Sequence, residues 1–313
     1  MDILIFGIAL VAVAVLLLAA VPGWVMIKRG MLAERSISDL SRVLLFVAQP
    51  CLAVYSFFGV DFSLPLLGRL GIFALLTFSV MLVMMLGAFL ILRRKYERAI
   101  YRIITIATAF SNCAFFGIPI IDVLIPDGSP ELIAYTTVFA VVMNVVGWTV
   151  GAAIIAGNTT YMSVKKIFLN PAMIGLIVAM TVFIFDIPLG ASLEKMIATA
   201  GTMATPLSMV IMGMRLGTVR LSSLFTEPKV YATILVKQIV MPLVAFLLVV
   251  FLPIDSDTKQ AFFIICACPV ASVVLNFAEI LGEGQREAAN TVLLSTILSI
   301  LTLPVMMLLL PLL

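Results

Sequence analysis

The sequence predicts an all-α integral membrane protein of ten transmembrane helices, built as two related halves of five. Three observations predict this class: the apolar composition, a series of continuous apolar runs, and a one-sided placement of lysine and arginine. Hydrophobic residues make up 63% of the 313 residues and charged residues only 11%. Soluble domains hold roughly half apolar and about a quarter charged residues, so this chain has too little polar surface for water. The runs are continuous rather than alternating, which argues against a transmembrane barrel.

The apolar runs have the length that a bilayer requires. A hydrocarbon core of about 30 Å is crossed by about 20 residues of helix. We predict spans at residues 3–24, 38–58, 69–92, 100–122, 132–156, 168–186, 192–214, 229–252, 259–281 and 287–311.

Lysine and arginine placement predicts the orientation, because cytoplasmic connections are enriched in these residues. Fifteen of the 19 lie in or beside the connections that follow spans 1, 3, 5, 7 and 9. Three, Arg69, Lys195 and Lys259, lie on the other side, and Lys237 falls inside span 8. We therefore expect both termini on the outer side of the membrane. The first span has no basic region before it, so we expect a retained anchor rather than a cleaved signal peptide.

The two halves share marker residues at one interval. Pro206 follows Pro50 by 156 residues, and Gly284 follows Gly128 by the same interval. Because five is odd, a second copy of five spans enters the membrane in the opposite orientation. Inverted repeats of this kind are typical of secondary transporters. The predicted halves cover residues 1–157 and 158–313.

Span 4 contains the first candidate binding segment. Asn112 lies near its middle, and Gly117 and Pro119 favour a broken helix because glycine frees the backbone and proline removes an N–H. The N-terminus of a half-helix would turn its positive dipole end towards an anion. Asn112 can donate two hydrogen bonds to a carboxylate, with Ser111 and Cys113 beside it. The alternative is a kinked packing helix with one interhelical asparagine hydrogen bond.

Span 9 contains the second candidate segment. Pro269 lies near mid-depth, followed by Ala271 and Ser272. Ser272 and Asn276 share a helix face at i, i+4, and Glu279 follows near the cytoplasmic end. The alternative is again a simple proline kink.

Three more polar residues lie inside spans: Gln49, Asn144 and Lys237. Each is a candidate for a cavity or for ion coupling. Gln49 precedes the kinking proline of span 2, Asn144 can instead make an interhelical bond, and Lys237 can instead snorkel to the membrane surface. The chain has no histidine, and Cys266-Ala-Cys268 lacks the spacing of a CxxC pair. We expect no metal, no cofactor, no nucleic-acid partner and no enzymatic activity.

Several motifs together resemble the auxin efflux carrier family. They run in order along nearly the whole chain: Arg42–Pro50, Asn112–Pro119, Asn170–Gly175, Lys237–Pro242, the Pro269 segment and Thr302–Pro304. The short connection between spans 5 and 6 is similar to that of bacterial, malonate-transporter-like members. That resemblance implies a bacterial inner-membrane protein.

The family resemblance implies a fold similar to that of sodium–bile acid symporters. Spans 1, 2, 6 and 7 would form a scaffold that dimerises, and spans 3–5 and 8–10 a moving transport domain. Spans 4 and 9 would cross as helices broken at Pro119 and Pro269, with the substrate carboxylate held near Asn112. Ser272 and Asn276 make the site more polar than in the plant carriers, which favours a small organic anion.

The resulting expectation is a carrier of small carboxylates that works by elevator-type alternating access. One alternative is a sodium- or proton-coupled symporter. Candidate oxygen ligands for sodium are Ser111, Asn112, Ser272, Asn276 and Glu279, and candidate proton carriers are Glu279 and Asp122. Another alternative is a membrane sensor that keeps the fold and does not transport.

Overall fold

The computed structural model of the chain describes residues 2–126, 131–156, 169, 171–275, 278, 282 and 284–313. These residues form helices and turns, and the β-type pairing among them is one isolated bridge. Seven helices in this part of the chain are long and apolar enough to cross a membrane. Two shorter apolar helices cover Cys113–Leu124 and Met173–Ile184. The protein is a multi-pass, all-α integral membrane protein.

Helix is present at each of the ten predicted positions, numbered α1 to α10 below. In the first half these are α1 (Asp2–Leu18 and Val21–Lys28), α2 (Arg35–Val43, Leu44–Ala48 and Gln49–Tyr55), α3 (Leu64–Leu92), α4a (Ala99–Ala107), α4b (Cys113–Leu124) and α5 (Glu131–Val146, Gly147–Gly151 and Ala152–Ala156). In the second half they are α6 (Pro171–Ile184), α7 (Ala191–Thr202 and Ala204–Thr218), α8 (Pro228–Leu235, Val236–Val240 and Met241–Val250), α9 (Ser256–Ala267) and α10 (Gln285–Met307). A short helix, Leu221–Leu224, lies between α7 and α8.

Three of these helices widen into a π turn just before a proline. The wide turns end at Ala48, Gly117 and Val240, and each is followed two residues later by proline. Proline has no N–H to donate, and its ring clashes with the carbonyl four residues earlier. A π turn moves that carbonyl aside, so the helix continues through the proline with a local distortion.

Glycines allow α1, α2, α6 and α7 to approach closely. A Cβ atom at Gly213 of α7 would overlap the carbonyl oxygen of Ala20 in α1, and one at Gly23 of α1 would overlap the carbonyl oxygen of Val210. A Cβ atom at Gly175 of α6 would lie 2.7 Å from Pro50 Cα in α2. The segment Gln49–Tyr55 of α2 also packs against Ala191–Thr202 of α7. In lipid no hydrophobic effect drives helices together, so they associate through close packing. Small residues at the contact allow that close approach.

The remaining helices form a second packed group. Helix α3 packs on α4a and α5, α8 packs on α9 and α10, and α9 also contacts α5. Polar contacts reinforce this group: Arg69 of α3 donates to both carboxylate oxygens of Glu131 at 2.7 Å, and Thr258 of α9 donates to the hydroxyl of Tyr135 at 3.0 Å. The two groups meet where α1 contacts α10 and α4b and where α5 contacts α6.

The glycine contact between α1 and α7 predicts a stability difference between two alanine substitutions. Gly213→Ala forces the helices apart and should cost about 1–3 kcal/mol, as overpacking of a filled interior does. Gly7→Ala in α1 is the matched control, because a Cβ atom there meets nothing within 4 Å. Thermal unfolding of the purified protein in detergent should show a clear loss of stability for Gly213→Ala and little change for Gly7→Ala. Equal unfolding temperatures would contradict the close packing.

Candidate substrate site at the crossing of two broken helices

Two helices of the second group are interrupted in their middle. Helix α4a ends at Ala107, and residues 108–112 are not helical before α4b begins at Cys113. Helix α9 ends at Ala267, and the chain is irregular from 268 to 272 before a helical turn starts at Val273. These two interruptions lie against each other.

The two interrupted segments pair through their backbones. The Asn112 N–H donates to the Pro269 carbonyl at 2.9 Å, and the Ala271 N–H donates to the Phe110 carbonyl at 3.0 Å. Ser111 and Val270 form the antiparallel bridge between them. In an apolar interior every backbone polar group needs a partner, and non-helical backbone is tolerated only where protein supplies one. Each break therefore supplies the hydrogen bonds that the other has lost.

The break in α4 lies earlier than the family resemblance implied. Pro119 does not interrupt the helix, because it follows the π turn Cys113–Gly117 inside α4b. Its ring lies in an apolar groove beside α1. The interruption is at Thr108–Asn112, where Asn112 leaves the helical region with φ −75° and ψ 62°. In α9 the break does contain Pro269, as expected.

A cavity of about 260 Å³ lies beside the crossing. Seven of the predicted site residues line it: Gln49, Ser111, Asn112, Cys113, Asn144, Ala271 and Ser272. Ligand pockets typically enclose about 300–1,000 Å³. The volume is close to the lower end of that range and accommodates a small organic ligand.

Two side chains at this cavity carry polar atoms with unmet hydrogen-bonding capacity. Among the described residues, Ser111 Oγ and Asn112 Nδ2 are buried without a hydrogen-bond partner. Leaving such a group unsatisfied costs about 1–3 kcal/mol, so an orphaned donor in a native site calls for an explanation. A ligand oxygen in the cavity would satisfy both groups.

Helix ends add to the positive potential at the cavity. Cys113, Ala114 and Phe115 form the first turn of α4b, where a helix N-terminus leaves N–H groups without intrahelical acceptors. The Cys113 N–H donates to the Ser111 carbonyl at 2.8 Å. Ser272 and Val273, which open the helical turn after the second break, line the opposite wall. Helix N-termini favour anions because their N–H groups and dipole point towards the ligand.

The other walls of the cavity are largely apolar. They come from α2, α5 and the start of α6: Leu45, Phe46, Ala140, Met143, Trp148 and Pro171. No motif marks Phe46, Met143 or Trp148 in the sequence, because large apolar residues are ordinary inside spans. Only the helix packing shows that they face the crossing.

Among the described residues, four predicted site residues do not line this cavity: Gly117, Pro119, Pro269 and Lys237. Gly117 packs towards Cys268, whose Sγ would lie 3.6 Å from a Cβ atom there. The Asn144 side chain lines the cavity but also donates to the Ala140 carbonyl at 2.8 Å within its own helix. Lys237 is fully buried behind the crossing, so it does not reach the membrane surface. Asn276 and Glu279 lie outside the described residues.

Ser295 of α10 is a supporting residue that the sequence did not single out. Its Oγ accepts a hydrogen bond from the Val270 N–H at 3.1 Å, which satisfies a third backbone group at the break. The Ser295 carbonyl in turn accepts from Gln238 Nε2 at 2.8 Å. No sequence signal separates Ser295 from the other small polar residues of α10.

Comparison with known proteins gives one result on the family. A profile of the family described as membrane transport protein matches residues 8–307, from α1 to α10. None of the curated proteins compared with this chain matches it.

The role of Ser295 can be tested against a neighbour. Ser295→Ala removes the acceptor of the Val270 N–H and should cost about 1–3 kcal/mol of stability, the usual penalty for an unsatisfied buried donor. Ser299→Ala is the matched control, because its hydroxyl is equally buried and donates only within α10, to the Thr296 carbonyl. Thermal unfolding should rank Ser295→Ala as clearly less stable than Ser299→Ala. A larger loss for Ser299→Ala would show that the crossing does not depend on this bond.

Proposed function

This chain belongs to the membrane transport protein family, the auxin efflux carriers that its motifs resemble, and on that premise we propose that it is a secondary carrier of small carboxylates such as malonate-like acids. The observation that carries the proposal is the cavity at the crossing, where Ser111 Oγ and Asn112 Nδ2 are buried without partners. A carboxylate oxygen accepts hydrogen bonds and cannot donate them, so it matches these groups and the nearby helix N-terminus.

The cavity also favours the small, polar class of substrate within the family. Its volume of about 260 Å³ accommodates a short acid. Ser111, Asn112 and Ser272 lie on the crossing side, and the walls from α2 and α5 are apolar apart from Gln49 and Asn144. A short carboxylate with a few methylene groups satisfies both sides.

We propose elevator-type alternating access as the transport mechanism. The helices α1, α2, α6 and α7 would be the fixed scaffold, and the helices α3–α5 and α8–α10 would move with the crossing. Supporting this division, each set packs internally through the contacts described above. The scaffold would also form a homodimer in the inner membrane of a bacterium.

Helix contacts support the inverted repeat that this mechanism uses. If α1–α5 correspond to α6–α10, the contact of α1 with α7 should recur as that of α6 with α2, and both are present. The contacts of α3 with α5 and of α5 with α6 likewise recur as those of α8 with α10 and of α10 with α1.

The predicted orientation assigns a side to the cavity. Its lining residues Trp148 and Pro171 lie towards the ends of α5 and α6 that we predict to face the cytoplasm. On that orientation, the carrier is in an inward-facing state.

Substitution of Asn112 tests the substrate site. Asn112→Ala removes the donor, and Asn112→Asp places a negative charge where the carboxylate would bind, so we expect an affinity loss of roughly tenfold or more. Counterflow of labelled malonate and related short acids in proteoliposomes measures both affinity and transport. Counterflow also separates a carrier from a sensor, because a sensor binds its ligand without exchanging it.

Asn290→Ala is the control for loss of a buried amide. Asn290 is 2% exposed in α10 and does not line the cavity. We expect this variant to lose stability while keeping substrate affinity. If Asn112→Ala keeps the affinity of the unmodified protein, the site assignment is wrong.

A further inference from the structure

Lys237 of α8 lies fully buried behind the crossing. Its ammonium donates to the Cys266 carbonyl at 2.9 Å and to the Cys268 carbonyl at 2.9 Å. These carbonyls belong to the end of α9 and to the first residue of the break, where the helix supplies no N–H donors for them. The ammonium therefore caps the C-terminus of a helix that ends inside the membrane.

The charge of Lys237 is balanced by carbonyl dipoles. In the described part of the chain, no carboxylate oxygen lies within ion-pair distance of its Nζ. The C-terminus of a helix carries a partial negative charge and attracts a cation. An unpaired charge in hydrocarbon is costly, so an intramembrane lysine held in this way is a candidate for function.

This arrangement has the chemistry of a bound monovalent cation. Carriers with interrupted helices bind soluble Na⁺ through unwound backbone carbonyls and half-helix C-termini. The Lys237 ammonium has the same charge and uses the same kind of ligand. It differs in being covalently attached to α8.

The position of the ammonium also connects it to the substrate site. Between its two acceptors and the cavity lies Pro269, whose carbonyl accepts the Asn112 N–H. The segment that Lys237 fixes continues through Val270 to Ala271 and Ser272, which line the cavity. Lys237 itself does not line the cavity, so it acts on the ligand through the backbone that it holds.

We propose that Lys237 is a built-in cation that replaces a soluble coupling ion, so that substrate binding at the crossing needs no Na⁺ or K⁺. Lys237 is then a positioning residue for the site. This inference rests on the proposed carboxylate transport. Between a sodium-coupled and a sodium-independent carrier, it favours the sodium-independent one.

Chemical rescue tests this role directly. Lys237→Ala removes three carbons and the ammonium, which are the heavy atoms of n-propylammonium. In choline chloride we expect the apparent KM for malonate counterflow to rise about tenfold, because two backbone carbonyls lose their partner. n-Propylammonium chloride should restore the KM, and NaCl should restore part of it. The unmodified protein should have the same KM in choline, sodium and potassium salts.

Met241→Ala is the matched control for lost volume. Met241 is also fully buried in α8, close to Lys237, and carries no charge. Its substitution should lower stability without making the KM depend on the cation. A Lys237→Ala protein whose KM ignores every added cation would overturn the proposal, as would sodium-dependent counterflow by the unmodified protein.

Two further measurements keep the test decisive. Lys237→Met retains the length of the side chain without its charge. Unchanged transport by this variant in choline would overturn the proposal that Lys237 acts as a built-in cation. Thermal unfolding of Lys237→Ala with each cation needs no substrate, and we expect stabilisation by n-propylammonium only in this variant. If no carboxylate exchanges in the unmodified protein, the proposed function fails, while the unfolding series still accepts or rejects a cation role for Lys237.

Discussion

The structure depends on one constraint: backbone that is not helical must find hydrogen-bond partners inside an apolar interior. The two interrupted segments meet this constraint by pairing with each other at Asn112–Pro269 and Ala271–Phe110. Neither segment could stay open alone at that depth, because each would leave several N–H and C=O groups unsatisfied. The crossing is therefore a joint property of both halves of the chain. This explains why α4 and α9 lie in one packed group of helices.

The pairing satisfies the backbone but leaves selected side chains free to act. Lys237 and Ser295 approach the α9 break from α8 and α10 and satisfy its remaining carbonyl and N–H groups. On the other face, Ser111 Oγ and Asn112 Nδ2 are buried without partners beside the cavity. The crossing thus separates a structural face, where every described contact is made within the protein, from a face with open donors. The candidate binding site lies at the second face, because the first holds the backbone in place.

The sequence predicted the helices and the centre of the site, because both leave local signals. Apolar length predicts spans, and asparagine or proline at mid-span predicts a break. It misplaced the α4 break at Pro119, because the proline and the interruption are separate features: the π turn absorbs the proline, and pairing with α9 makes the interruption. Lys237 was also ambiguous, since an intramembrane cation can snorkel or be held. Its carbonyl partners lie 29 and 31 residues away in the chain, and no periodicity reveals a contact of that kind.

The electrostatics of the crossing suit a carrier better than a tight receptor. A mobile arginine in the cavity would bind a carboxylate through a strong, charge-assisted pair, and release would then be slow. Here the polar groups at the cavity are neutral amides, hydroxyls and the N-terminal turn of α4b, while the formal positive charge of Lys237 is held outside the cavity. An anion is therefore favoured without an ion pair to break. Conduction and transport both require binding that is strong enough for entry and weak enough for exit. The Lys237 cation, held outside the cavity by the backbone, and the neutral donors that line the cavity together favour an anion strongly enough for entry and weakly enough for exit.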